Sequence, residues 1–94
     1  MVVRGEVDIA TAPDVWMVAR RAVDTKPISL IIDCTGVTFI GSTGISLLLE
    51  LRGVCHEHDL PFRLVADSRA VLRPLEVTDL LREFVVLRDV TAAC

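Results

Sequence analysis

The sequence predicts an α/β domain built on a mainly parallel sheet, and three observations carry that prediction. Segments of strand character alternate with segments of helical periodicity from one end of the chain to the other. One strand segment, Ile28–Cys34, is nearly all apolar and bounded by turn residues, as in a strand covered on both faces. The chain has 94 residues, 52% of them hydrophobic, which fits one domain over residues 1–94 and leaves no room for a second.

The elements follow in order. Val2–Val7 alternates around Gly5 and predicts a strand. Thr11, with Asp14 three residues on, is an acidic variant of the capping box, and Pro13 is tolerated in a first helical turn. The apolar face through Val15, Trp16, Val18, Ala19, Ala22 and Val23 carries that helix to about Asp24. Lys26 and Pro27 stop it. Ile28–Cys34 is the second strand. Thr35–Gly36 is expected to turn the chain, and Val37–Ile40 to continue as a short extended piece. Ser42 is placed to cap a helix reaching about His58. Leu60–Ala66 is the next strand. Ser68 caps a short helix limited by Pro74, Thr78 caps a turn over Asp79–Arg82, and Phe84–Leu87 is the last strand.

Charge and composition narrow the function. The formal net charge is −3, a poor surface for nucleic acid, which needs a basic patch. Mean hydropathy is +0.55. Still, no apolar run approaches the roughly 18 residues that cross a bilayer, and no signal peptide is evident, so a cytoplasmic protein without a membrane partner is expected. Surplus apolar surface points to a protein partner.

Catalytic signatures are missing. Neither GxxxxGK[ST] nor GxGxxG occurs, and no GxSxG elbow is present. His56 and His58 are two apart and do not share a helical face, so they read as helix-end residues rather than metal ligands. We expect no enzyme, no cofactor and no metal. The three cysteines, Cys34, Cys55 and Cys94, lack zinc spacing. Cys34 and Cys55 read as buried reduced thiols, with a redox pair of Cys55 and Cys94 as the alternative.

The informative segment is Val37–Leu51. At 100° per residue, Gly44, Leu47, Leu48, Leu51, Val54 and Cys55 share one face of the helix, the expected core face. Ser46, Glu50, Gly53 and Glu57 lie opposite, in solvent. Ile45, Leu49, Arg52 and His56 form a flank. Two readings of the flank stand: packing against a neighbouring helix, or an exposed docking patch beside Ser42. Ser42 likewise has two readings, a plain N-cap or a modifiable serine.

Several segments taken together resemble STAS domains, specifically the bacterial anti-anti-sigma factors, also called anti-sigma factor antagonists. These are Gly5–Glu6–Val7–Asp8 with Thr11–Ala12–Pro13, Leu30–Asp33 with Gly36–Ile40, the loop Ser42–Thr43–Gly44, Arg63–Val65, Ser68, Val71–Arg73 and Leu75. The resemblance implies the STAS fold, a mixed, mostly parallel sheet with helices largely on one face. It implies binding to an anti-sigma factor of histidine-kinase-like ATPase fold, phosphorylation of Ser42 by that partner, and reversal by a phosphatase. The partner-binding residues it implies are Asp8, Thr11, Gly41, Ser42 and Thr43, joined by Ile45, Leu49 and Arg52 of the flank. Two departures are visible. Gly41 stands where the family loop usually carries Asp, which removes a negative charge beside Ser42. The chain also lacks most of the family's first strand and its C-terminal helix, so a homodimer through an exposed sheet edge is expected. The alternatives within the same fold are a subunit of a lipid-transport or stress-signalling complex and a thiol-regulated regulator.

Overall fold

The computed structural model describes residues 1–89. Four strands, β1 (Val2–Val7), β2 (Leu30–Ile40), β3 (Phe62–Val65) and β4 (Val85–Leu87), form one sheet in the order β1-β2-β3-β4. Every neighbouring pair is parallel, so the sheet is wholly parallel rather than mixed. Three helices connect them: α1 (Ala12–Asp24), α2 (Ser42–Glu57) and α3 (Arg69–Val77). A single 3-10 turn, Leu81–Glu83, precedes β4. The buried residues of all three helices join one apolar cluster with Val3, Val7, Leu30, Ile32 and Leu64 of the strands.

β2 departs most from expectation. No turn occurs at Thr35–Gly36; one strand of 11 residues runs through it. Its register against β1 slips twice, once between Val2 and Arg4 and once between Gly5 and Glu6. Each slip puts one extra residue into β2, as a β-bulge does. Buried positions therefore change from every second residue (Leu30, Ile32, Cys34) to every third (Val37, Ile40). Gly5, at φ 75°, takes the backbone conformation that this irregularity needs and that other residues resist. The second slip turns Phe39 outward, where it is 52% exposed. Ile28 is not part of the strand; it is 95% exposed. Ile31 and Asp33 are only half-buried, so β2 is sealed on one face and not on both.

The helix ends also differ in mechanism. Thr11 is the N-cap of α1, but its hydroxyl makes no capping bond to the helix. Ser68 is the N-cap of α3, again without a capping bond. α3 continues through Pro74 to Val77, held by Val71 and Leu75, both fully buried. Thr78 closes that helix instead of starting the next turn, its hydroxyl donating to the Pro74 carbonyl at 2.8 Å. α2 and α3 end alike. The Asp59 amide bonds the His56 carbonyl and the Leu60 amide bonds the Cys55 carbonyl; Asp79 and Leu80 repeat this on Glu76 and Leu75. Asp59 and Asp79 occupy the left-handed position of these Schellman ends. The strands β3 and β4 are shorter than expected, and Phe84, just before β4, is buried against Phe62, ring centroids 6.3 Å apart.

Gly44 brings α2 down onto the sheet. A Cβ there would lie 2.7 Å from Ile40 Cγ1, 2.9 Å from Val7 Cγ1 and 3.0 Å from the Val7 carbonyl oxygen. That oxygen accepts the Gly41 amide at 2.9 Å and cannot retreat freely. Gly44→Ala is therefore expected to lower stability by about 1–3 kcal/mol, the range for overpacking a tight site. A thermal midpoint drop of several degrees on calorimetry checks it.

Candidate functional site

The carboxyl ends of β1 and β2 lie side by side, Val7 paired with Ile40. The loop after β1 carries Asp8 and Ile9; the loop after β2 carries Gly41 and runs straight into α2 at Ser42.

Asp8 and Thr11 lock the first loop. The Asp8 carboxylate accepts the amides of Ala10 at 2.9 Å and Thr11 at 3.1 Å. The Thr11 hydroxyl accepts the Asp8 amide at 3.0 Å and donates to the Glu6 carbonyl at 2.8 Å. The Thr11 amide first, and then those of the rest of the turn, holds the Asp8 carboxyl below its usual value. These two residues therefore fix the shape of the turn, and the side chain they present outward is Ile9, 79% exposed.

Ser42 is exposed and is the first residue of α2, not its cap. The N-cap is Gly41, and no side chain caps the first turn. Gly41 sits at φ −91°, ψ −178°, extended backbone open to any residue. A Cβ on it would touch only the Phe39 ring, at 3.4 Å, before the Val7 carbonyl at 3.9 Å. Glycine is thus not a backbone requirement there. Thr43 is half-buried beside Ser42.

The core face of α2 is as predicted with two corrections: Val54 is only half-buried against the cluster, and Ile45 joins the face. Gly44, Leu47, Leu48, Leu51 and Cys55 are buried, and so is Ile45, at 9% exposure. Leu49 is half-buried against the core. The flank is thus packed rather than an exposed apolar patch. Its lower part is polar: Arg52 is half-exposed and pairs with Glu83 at 3.6 Å, tying α2 to the 3-10 turn. An exposed pair of this kind contributes about 0–1 kcal/mol. His56 is exposed, and His58 Nδ1 sits 2.9 Å from the Val54 carbonyl at the helix end.

The apolar surface next to Ser42 lies instead on the other side of α2. An open groove of about 350 Å3 separates α1 from α2. Ile9, Pro13 and Trp16 form one wall; Thr43, Ser46 and Glu50 belong to the other. Ile9, Trp16 and the outward Phe39 are what the sequence reading of the site missed. A signal for Ile9 existed: an isoleucine inside a polar turn has no core to enter. Phe39 carried none, because strict alternation from Val37 would have put it inside.

Cys55 has no exposed surface, and burial pushes its thiol up. That removes the access a redox thiol needs, and Cys94 lies outside the described residues. Cys34 is buried as well, and burial, with Asp33 beside it, raises its thiol to about 12 from an ordinary 9.0. Because the fold favours the neutral thiol, stability is intact below pH 9 and falls as pH rises toward 12. The slope should reach at most about 1.4 kcal/mol per pH unit. The chain has no tyrosine and one lysine, so apart from the other cysteines few groups titrate there. Urea melts between pH 8 and 11.5 should show the decline, and Cys34→Ala should lessen it, leaving the part that belongs to the buried Cys55.

Among the described residues, no three His, Cys, Asp or Glu side chains converge as a metal site would require. No described helix is long and apolar enough to cross a membrane. What the carboxyl end offers is a rigid surface: an exposed serine at an uncapped helix start, an apolar turn and a groove between them.

Comparison with known proteins agrees with this geometry. The profile of the STAS domain family matches residues 1–93. Among solved structures, an anti-sigma factor antagonist from Mycobacterium paratuberculosis superposes with a TM-score of 0.84 at 30% sequence identity. The match covers 98% of this chain and 78% of that one. No curated protein sequence gives a significant match.

Proposed function

The chain belongs to the STAS domain family, and from that premise we propose that it is an anti-sigma factor antagonist. It acts by binding and not by catalysis, in the cytoplasm, on an anti-sigma factor of histidine-kinase-like ATPase fold, and so frees a sigma factor. Ser42 is the residue through which the partner switches it off, and a phosphatase restores it. The observation that carries the reading is Ser42 itself: exposed, first in α2, with no side chain capping the turn behind it.

A phosphate on Ser42 adds about −1.5 to −2 charges. At a helix N-terminus that charge meets free amides and the positive end of the dipole, so the fold tolerates it. The same group set against an apolar partner surface has to be desolvated, and binding is lost. The switch then needs no conformational change.

The test is to mix the purified chain with the histidine-kinase-like anti-sigma factors encoded in the same genome, with ATP. Complex formation followed by one phosphate on Ser42, mapped by mass spectrometry, supports the reading. Failure to bind any of them overturns it. Gly41→Asp, in which the acid usual in the family is restored, should speed phosphorylation. It should leave the thermal midpoint within about 2 °C, since the backbone there is extended and the space is open. Equal rates for both forms would mean that the acid is dispensable.

A further inference from the structure

We infer that the groove between α1 and α2 is the selectivity pocket of this surface: it takes one bulky apolar side chain of the anti-sigma factor, with a basic group of that partner set against Glu50. The inference rests on the antagonist reading and adds to it where the partner is gripped and by what chemistry.

Spacing along α2 connects the groove to the switch. Ser42, Ser46 and Glu50 are four residues apart in turn and so lie on one stripe of the helix. Ser46 and Glu50 line the groove, as does Thr43 next to Ser42. Ser42 therefore stands at the groove's mouth, and whatever docks over it reaches the groove.

The lining specifies the occupant. Ile9, Pro13 and Trp16 are apolar, and Glu50 is the one charged residue among those that form the groove. Glu50 and the lack of a cation among the lining residues disfavour a phosphate or nucleotide inside the groove, and an apolar group with a positive neighbour is favoured. The groove is open to solvent and measures about 350 Å3, which suits a side chain inserted from a facing surface. Its most prominent wall is pre-set. Ile9 stays 79% exposed on a turn locked by the Asp8 and Thr11 hydrogen bonds. A large apolar side chain held rigidly in water contributes little to folding and loses little entropy on binding, which is the character of an interface anchor. A phosphate on Ser42 would put a second negative group at the mouth of a groove whose centre is apolar. Docking then requires that phosphate to be desolvated.

The experiment titrates the anti-sigma factor against the chain labelled with 5-fluorotryptophan. Trp16 is its only tryptophan, so the fluorine resonance reports the groove alone. The resonance is expected to shift on binding. Ile9→Ala should weaken affinity about tenfold or more, the loss typical of an anchor. Ser46→Phe fills the groove from an exposed position and should weaken it similarly, while Glu50→Gln costs less. Val18→Ala, an exposed apolar change elsewhere on α1, should bind as the parent does. If the parent binds and Ser42→Glu abolishes binding, yet the fluorine does not move and Ile9→Ala and Ser46→Phe bind normally, the groove assignment is overturned and the antagonist reading survives. If the parent binds no anti-sigma factor, both fall.

Discussion

Ser42→Glu should weaken binding to the anti-sigma factor by about 100-fold or more while leaving the thermal midpoint unchanged or slightly raised. The loss follows from burying a charge against a partner surface, where an unfavourable juxtaposition costs several kcal/mol. The unchanged fold follows from position. Ser42 is exposed at the start of α2, where an acidic side chain is stabilising by about 0.3–1 kcal/mol. Ser42→Ala should bind normally. It should also change stability by no more than about 0.5 kcal/mol, because the hydroxyl makes no capping bond to lose. A true N-cap serine would cost about 1 kcal/mol on the same change. Calorimetry and titration on the three proteins check both halves. A large fall in stability for Ser42→Glu with affinity retained would mean that the serine serves the fold and not the interface.

Leu48→Asp should unfold the domain outright. Leu48 is 3% exposed in the centre of the cluster that joins the helices to the sheet. Removing a buried leucine costs about 2–5 kcal/mol, and the unpaired carboxylate adds several more. A domain of this size has a total stability of about 5–15 kcal/mol. Leu49→Asp, one residue along and half-buried, should cost about 1–3 kcal/mol and leave a folded protein. Circular dichroism separates the outcomes. Equal collapse of both variants would show that the flank of α2 is as much core as the face beside it.

Most of the architecture was legible, and the failures have physical causes. The order of strands and helices and most of the core face of α2, Gly44 included, followed from apolar periodicity. Ile45 was misassigned because angular position on a helix does not tell how far the sheet curves around it. The turn expected at Thr35–Gly36 was instead a bulge. Both place a Thr-Gly pair in the open, and only the register against β1 distinguishes them. That same register decided Phe39, whose exposure could not be read from β2 alone. Thr11, Ser42 and Ser68 all had the composition of caps. None makes a capping bond: the Thr11 hydroxyl is recruited by Glu6 and Asp8, Gly41 takes the cap position of α2, and the buried Ser68 hydroxyl finds no partner among the described residues. Ser42 was found as a candidate site by its place after a strand, and that placement did not depend on its capping anything.

Release of a sigma factor is the central step of the proposed function. The direct measurement is a competition: a preformed complex of the anti-sigma factor with its labelled sigma factor is titrated with this chain, and free sigma factor is followed by fluorescence anisotropy. The account predicts that the unmodified chain displaces the sigma factor at stoichiometric amounts, and that neither the Ser42-phosphorylated chain nor Ser42→Glu does so. A sigma factor that stays bound at saturating unmodified chain, or is displaced equally well by Ser42→Glu, would contradict it.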